Sequence, residues 1–155
     1  MTELGAPVAS DGGVGSRDAM GSAVLGVGTD LVGVSRVREA LARRPRLAER
    51  LFTDAERHII GRGSSDPARH RSMAARLAAK EAVMKSLAAG IGTVAFRDIE
   101  VLGGRGLPPS VTLHGRAKVL ADSLGVSQIA LSMTHDGDVA AATAIASRRC
   151  SCSQS

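Results

Sequence analysis

Residues 76–90 read Arg-Leu-Ala-Ala-Lys-Glu-Ala-Val-Met-Lys-Ser-Leu-Ala-Ala-Gly, and this stretch decides the fold. Alanine, leucine, methionine, glutamate and lysine favour helices, and Gly90 stands where a helix would end in a left-handed residue. On a helical wheel, Arg76 and Lys80 fall within the apolar sector, while Glu81 and Lys85 lie together at its edge. The apolar sector contains Met73, Leu77, Val83, Met84 and Leu87. The stretch therefore predicts a long central helix with charges against its apolar face.

Two explanations fit the charged residues of this helix. In the first, Glu81 and Lys85 form an ordinary pair one turn apart, and the side chains of Arg76 and Lys80 extend past the core to water. In the second, the cations contact a buried anion, because an unpaired cation is costly to remove from water. A bound phosphate would be such an anion.

A glycine-rich segment upstream supplies a carboxylate. Residues 24–32, Val-Leu-Gly-Val-Gly-Thr-Asp-Leu-Val, have strand character, and a helix-like segment follows from Ser35. Asp30 lies at the end of this strand, where a carboxylate can reach a site without moving its scaffold. The residues alone leave open whether Asp30 serves a site or only caps a turn or helix.

A third segment lies near the end of the chain. Residues 129–138, Ile-Ala-Leu-Ser-Met-Thr-His-Asp-Gly-Asp, predict a strand that enters an Asp-Gly turn before a second strand. Alternation places Ser132 and Thr134 on one face of the first strand, and Met133 and His135 on the other. A histidine beside a turn is often merely solvated, so His135 alone is a weak indication of a site.

The three segments together resemble the holo-acyl-carrier-protein synthase family of 4′-phosphopantetheinyl transferases. That family has a glycine-rich strand ending in Asp, a Lys-Glu-Ala-x-x-Lys helix and a late Ser-x-Ser-His strand. The corresponding segments here are residues 26–30, 80–85 and 132–135. Their order and separations match the family, and the resemblance covers about Val24 to Ala146.

The chain departs from the family pattern at two positions, and a third position distinguishes two types of relative. Thr134 stands where the family has serine, which keeps the hydroxyl, and residues 88–90, Ala-Ala-Gly, replace a more glycine-rich run. Val32 stands where related two-domain, monomeric enzymes have a second acid after Asp30. The resemblance therefore implies the small homotrimeric type, whose sites lie between subunits.

The resemblance also implies a reaction. Such enzymes transfer the 4′-phosphopantetheine arm of coenzyme A to a serine of an apo acyl carrier protein and release adenosine 3′,5′-bisphosphate. Asp30 and Glu81 would hold Mg²⁺, which prefers carboxylate and phosphate oxygens, and Lys85 would stabilise charge on the pyrophosphate. These three residues are the predicted catalytic set. The base that removes the serine proton stays open among Glu81, Asp30 and a metal-coordinated water.

Further binding residues follow from the same resemblance. Besides Lys85, the residues expected to bind coenzyme A are Arg76, Lys80, Gly90, Thr134 and His135. The carrier protein, a small acidic helical domain, is expected to contact Arg36 and Arg43, two helical turns apart. A solvated helix face is the alternative for these two arginines. The pathway served, fatty-acid or polyketide synthesis, stays open.

The composition leaves two other functions to consider. A net charge of +5 and a pI near 10.2 suit nucleic-acid or anionic membrane binding. Against nucleic-acid binding, the chain has no tryptophan or tyrosine to stack on bases and no zinc-finger spacing. It also has no continuous cationic face that would bind nucleic acid or a membrane. A regulatory module that binds coenzyme A or a nucleotide without turnover is the other alternative. Paired carboxylates favour the enzyme, because binding a polyanion alone would not need them.

The chain length fits a single domain. The predicted elements and the resemblance together imply an α+β fold, with a long central helix packed on a small antiparallel sheet. Its core of small aliphatic residues buries little area, which favours a homo-oligomer. The predicted helices span 34–44, 53–61, 70–89 and 115–124, and the predicted strands span 24–30, 97–103, 109–114, 127–134 and 139–146.

The two ends differ in composition from the remainder. Residues 1–22 are rich in glycine, alanine and serine, and we expect a disordered extension before a transferase domain at 23–147. Residues 148–155 are expected to form a flexible tail in which Cys150 and Cys152 are free thiols, with metal binding as the alternative. No signal peptide or transmembrane segment is evident, so a cytoplasmic location is expected.

Overall fold

The structure is a computed structural model that describes residues 22–61, 65–90, 92–104 and 106–149. The helices are α1 (Val34–Arg43), α2 (Leu47–Leu51), α3 (Asp54–Gly61), α4 (Asp66–Ser86) and α5 (Gly115–Ser123). The strands are β1 (Ser22–Gly33), β2 (Ile99–Gly104), β3 (Leu107–Leu113), β4 (Gln128–Asp136) and β5 (Val139–Arg149). The predicted α+β single domain is confirmed. The expected N-terminal extension and Cys150 and Cys152 lie outside the described residues, apart from Ser22 in β1.

The longest helix packs on a three-stranded antiparallel sheet with strand order β1-β5-β4. In the central strand β5, side chains alternate between the two faces, and the inward positions are all alanine. These alanines, at 140, 142, 144 and 146, are buried. Because methyl groups occupy little depth, α4 lies close to the sheet. Strands β2 and β3 form a separate two-stranded sheet.

Two glycines bring β1 even closer to α4. A Cβ atom on Gly28 would overlap the carbonyl oxygen of Ala82, and one on Gly26 would overlap that of Ser86. The strand backbone therefore rests directly on the helix. Asp30, two residues after Gly28, faces the same side of the strand and so points toward α4.

The end of α4 differs from the prediction. The helix stops at Ser86, and the left-handed residue is Ala88, with φ of 50°, rather than Gly90. The amides of Ala88 and Ala89 donate to the carbonyls of Lys85 and Met84, which is a Schellman arrangement. Leu87 and Ala88, which were predicted to be helical, therefore belong to a turn.

Other boundaries also differ from the sequence-based expectation. Strand β1 continues to Gly33, so Asp30 lies within the strand rather than at its end. Helix α4 begins at Asp66, four residues before the predicted start, because Ser65 precedes it and Pro67 occupies its first turn. Helix α2 was not predicted, since five residues after Pro45 are too few to show a helical period.

The face of the three-stranded sheet that points away from α4 carries exposed apolar side chains. Val27 is 60% exposed, Leu31 67% and Ile145 36%. Thr29 and Thr143 lie on the same face, and their hydroxyls are 3.2 Å apart. We call this surface the outer sheet face. None of the described helices is both long enough and apolar enough to span a membrane.

Candidate active site

Three predicted residues meet where β1 crosses α4. Lys85 Nζ donates to Asp30 Oδ1 at 2.7 Å and to the carbonyl oxygen of Thr29 at 2.9 Å. The Asp30 side chain is only 13% exposed, and its Oδ2 has no hydrogen-bond partner among the described residues. Glu81 lines the same cleft as Asp30, and the charge of Asp30 acts on its carboxyl group. Residues 51 positions apart in the sequence thus share one site.

The surroundings of Glu81 shift its pKa. Burial, followed by the neighbouring carboxyl group of Asp30, raises the pKa of Glu81 from 4.5 to about 7. Lys85 and Arg36 act in the opposite direction but do not cancel this effect. A carboxyl pair in such surroundings favours either a shared proton or a bound cation.

These residues fit a magnesium ion. Asp30 Oδ2 is a buried oxygen without a partner in the described chain, and Glu81 is an adjacent carboxyl group. Within the described ranges, no group of three or more histidine, cysteine, aspartate or glutamate side chains is placed to hold a metal. Two carboxylates suffice for Mg²⁺, which commonly takes its remaining ligands from phosphates and water.

Asp30, Glu81 and Lys85 line a cleft of about 1090 Å³. Gly90 lies in the wall of this cleft. Arg116, at the start of α5, is a lining residue that sequence reasoning missed. No local pattern marks this arginine, because only the packing of α5 brings it to the cleft.

The structure contradicts the prediction that Lys80 and Arg76 contact ligand phosphates. Lys80 is fully buried, and its ammonium group donates to Glu56 Oε2 and to the carbonyl oxygens of Leu51 and Phe96, each at 2.8 Å. Burial lowers the pKa of Lys80, and the charge of Glu56 opposes this shift. The buried anion expected beside this cation is therefore the Glu56 carboxylate of the protein itself.

Arg76 likewise has structural partners. It is 4% exposed and donates to the carbonyl oxygens of Val101 and Gly103 and to Ser72 Oγ. Burial lowers the pKa of Arg76, with Glu56 opposing the shift. Arg76 therefore anchors β2 to α4 and does not face the cleft.

Glu56 is a structural residue that the sequence analysis did not single out. Its carboxylate binds Lys80, the Thr53 amide at 2.7 Å and the Val101 amide at 2.9 Å. The Thr53 hydroxyl accepts from the Glu56 amide, which completes a capping box at the start of α3. The pattern Thr-x-x-Glu at 53–56 was the available signal.

Thr134 and His135 do not reach the cleft within one chain. Both are exposed on β4, which is separated from β1 by β5. The alternation along β4 is as predicted, since Met133 is partly buried toward α4 while Thr134 lies on the outer sheet face. Their predicted contacts with coenzyme A stay a proposal.

The two predicted carrier-binding arginines lie on α1. Arg36 lines a groove of about 220 Å³ that also contains Glu81, with the apolar residues of α1, α2 and α4 between them. Arg43, at the end of α1, is 74% exposed and pairs with Glu39 at 3.3 Å. Both side chains are thus available to a partner, and Arg36 is the one near the carboxyl pair.

The chain is similar to known proteins over most of its length. The family model for ACPS, the 4′-phosphopantetheinyl transferase superfamily, matches residues 26–144. The holo-[acyl-carrier-protein] synthase of Moorella thermoacetica is 44% identical over 125 residues, which is 79% of this chain and 93% of the relative.

Solved structures agree with the sequence comparisons. The holo-ACP-synthase of Plasmodium yoelii aligns with a TM-score of 0.75 at 25% identity, covering 84% of this chain and 99% of that one. A Chronobacterium ammoniagenes ACPS–CoA complex aligns with a TM-score of 0.67 at 31% identity, covering 81% and 97%. The paired acids, the lysine beside them and these matches lead to one conclusion: the chain belongs to the ACPS family of the 4′-phosphopantetheinyl transferase superfamily.

Proposed function

We propose that this protein transfers the 4′-phosphopantetheine arm of coenzyme A to a serine of an apo acyl carrier protein. The convergence of Asp30, Glu81 and Lys85 in one cleft is the observation that carries the proposal. The names of the relatives, and the coenzyme A complex of one of them, support the same substrates. In this reaction the serine oxygen bonds to the β-phosphorus and the pyrophosphate bond breaks. Adenosine 3′,5′-bisphosphate leaves, and the serine loses its proton.

Asp30 and Glu81 would hold the magnesium ion of this reaction. When bound, Mg²⁺ neutralises charge on the pyrophosphate and so stabilises phosphoryl transfer. Asp30 is suited to this task because β1 is fixed on α4 by Gly28, so that its carboxylate needs little reorganisation. Glu81 must give up its proton for the ion to bind, since its pKa is about 7.

Lys85 and Arg116 supply positive charge to the cleft. Lys85 is held by Asp30 and is 55% exposed, so its ammonium group can contact a bound anion while keeping its place. Arg116 lines the same cleft from α5. Both can bind phosphates of coenzyme A, and their charges favour the transfer of negative charge to the leaving bisphosphate.

Glu81 lies between two cavities, which suggests how two substrates meet. It lines the large cleft with Gly90 and Arg116, and it lines the smaller groove with Arg36. Coenzyme A in the cleft and a carrier on α1 would then approach the carboxyl pair from opposite sides. Arg36 and Arg43 would bind acidic residues of the carrier, in keeping with the chain's net charge of +5.

We further propose a homotrimer built on the outer sheet face. Exposed Val27, Leu31 and Ile145 form an apolar surface of the kind that marks subunit contacts. Thr134 lies on this face and His135 follows it on β4, so a neighbouring subunit's cleft could include both. This arrangement would account for two predicted coenzyme A residues that a single chain leaves far from Glu81.

The proposal is tested by incubating the protein with apo acyl carrier protein, coenzyme A and magnesium. Intact-mass spectrometry should find the carrier heavier by one phosphopantetheine, and chelation by EDTA should stop the gain. Coenzyme A binding without any gain on a panel of carriers would indicate the regulatory module instead. Retention on nucleic acid without either result would indicate the basic nucleic-acid-binding alternative.

A further inference from the structure

The turn between β4 and β5 caps the first turn of α1. Asp138 Oδ1 accepts from the Ser35 amide at 2.8 Å, and Oδ2 accepts from the Ser35 hydroxyl at 2.5 Å. The carbonyl oxygen of Asp138 accepts from the Val34 amide at 2.8 Å. Three hydrogen bonds therefore join this turn to the start of a helix about a hundred residues earlier in the chain.

Helix α1 cannot cap itself. Gly33 occupies its N-cap position and has no side chain, and its first turn contains no acid. Free amides at a helix start need an acceptor, and a carboxylate there also interacts favourably with the helix dipole. Asp138 meets both needs, so the position of the start of α1 depends on it.

Arg36 immediately follows the capped Ser35. It lies close enough to Glu81 to lower the pKa of that carboxyl group, and both residues line the groove between α1 and α4. Any shift of the first turn of α1 therefore moves Arg36 relative to the carboxyl pair. Val37 is buried in the core and partly buried Val34 packs against the same cluster, while Asp138 supplies the acceptors for the first free amides of the helix.

We infer that Asp138 is a positioning residue for carrier recognition, because it fixes the first turn of α1 and hence Arg36. The inference rests on the proposed docking of the carrier on α1. Asp138 touches no substrate, and its effect should appear in the use of the carrier rather than of coenzyme A. The hairpin whose β4 strand bears Thr134 and His135 is thereby linked to the carrier-binding helix.

Steady-state kinetics of four variants test this inference. Asp138→Ala should raise the KM for the carrier about fivefold to tenfold, the range expected for a lost helix cap, while the KM for coenzyme A and kcat stay near wild type. Asp138→Asn keeps the side-chain oxygen that accepts from the Ser35 amide and should recover most of this loss. Arg36→Ala is the positive control for docking, and Asp122→Ala, an exposed acid on α5, is the matched negative control.

Hydrogen exchange of the first amides of α1 shows whether the cap itself was lost. Faster exchange in Asp138→Ala together with a selective rise in carrier KM supports the inference. Faster exchange with an unchanged carrier KM, or with an equal rise in the KM for coenzyme A, overturns it and leaves Asp138 a purely structural cap. If Arg36→Ala does not raise the carrier KM, docking on α1 is wrong, and the inference falls with it.

Discussion

At the scale of single residues, the raised pKa of Glu81 bears most directly on the proposed function. Partial burial and the neighbouring Asp30 favour its protonated form. Its ordinary pKa of 4.5 applies to the unfolded chain, and the value of about 7 applies to the folded one. Between pH 4.5 and pH 7, Glu81 therefore keeps its proton in the folded state and has lost it in the unfolded state.

This difference predicts a pH-dependent stability. The contribution of Glu81 is fully present below pH 4.5 and is lost as pH rises through 7. In EDTA, the stability of wild type relative to Glu81→Gln should therefore fall between pH 5 and pH 8, because glutamine does not titrate. Chemical denaturation at fixed protein concentration measures this difference.

Magnesium provides the control for the same experiment. At pH 8, added Mg²⁺ should stabilise wild type and leave Glu81→Gln unchanged, since a ligand stabilises only the state that binds it. In EDTA, a difference in unfolding free energy between the two proteins that stays constant from pH 5 to pH 8 would contradict the raised pKa of Glu81.

The charged residues of the site and of α4 show how much the sequence could predict. Asp30, Glu81 and Lys85 were predictable because their motifs resemble a known family. Lys80 opens the helix motif and Arg76 lies one turn before it, and a helical wheel placed both against the apolar face. The wheel could not identify what faces them, since Glu56 reaches Lys80 only through the packing of α3 on α4.

Lys80 offers a direct test of this correction. Lys80→Met should lower the free energy of unfolding by about 3–5 kcal/mol, because it leaves the Glu56 carboxylate buried without its partner. The exposed Lys118, which pairs with Asp122 on α5, is the matched control, and Lys118→Met should change stability by less than about 1 kcal/mol. A stable Lys80→Met variant with a raised KM for coenzyme A would return Lys80 to the ligand site.

At the scale of elements, the contact between β1 and α4 positions the site. The sequence predicted both elements, and it predicted small residues in β1. It did not predict that two of the glycines contact the backbone of the helix, because neither has an unusual local conformation. Their role is visible only when the partner element is present.

Gly28→Ala should therefore impair the protein through this contact. The added methyl group would overlap the carbonyl oxygen of Ala82 and push β1 away from α4, which moves Asp30 from Glu81. We expect a loss of about 1–3 kcal/mol in stability, the usual cost of overpacking, and a larger fractional loss of transfer activity. Thermal denaturation and carrier-modification assays measure the two effects.

Gly61 is the matched control, because no atom of the described residues lies within 4 Å of a Cβ atom built there. Gly61→Ala should leave activity unchanged and stability equal or slightly raised. An active, stable Gly28→Ala protein would show that the close packing of β1 on α4 does not position Asp30.

For the whole molecule, the outer sheet face matters most. The sequence predicted an oligomer from an aromatic-poor core, and the structure adds a specific apolar surface on the face opposite α4. The sequence could not locate that surface, since β1, β4 and β5 come together only in the folded sheet.

Light scattering after gel filtration should give a mass of about three times 15.9 kDa for the wild-type chain. Val27→Glu places a charge on the outer sheet face and should yield monomers with little activity, because a buried charge at an interface is costly. Val119→Glu changes another exposed valine, on α5, and should remain trimeric. A monomeric and fully active wild type would exclude shared sites.

The account as a whole depends on Asp30 and Glu81 acting together on coenzyme A. The most direct measurement is the rate of carrier modification, followed by intact mass with magnesium present, for wild type, Asp30→Asn, Glu81→Gln and Asp122→Asn. We predict rates at least about a hundredfold lower for the first two variants and a wild-type rate for Asp122→Asn. Near-wild-type rates for folded Asp30→Asn and Glu81→Gln would contradict the account.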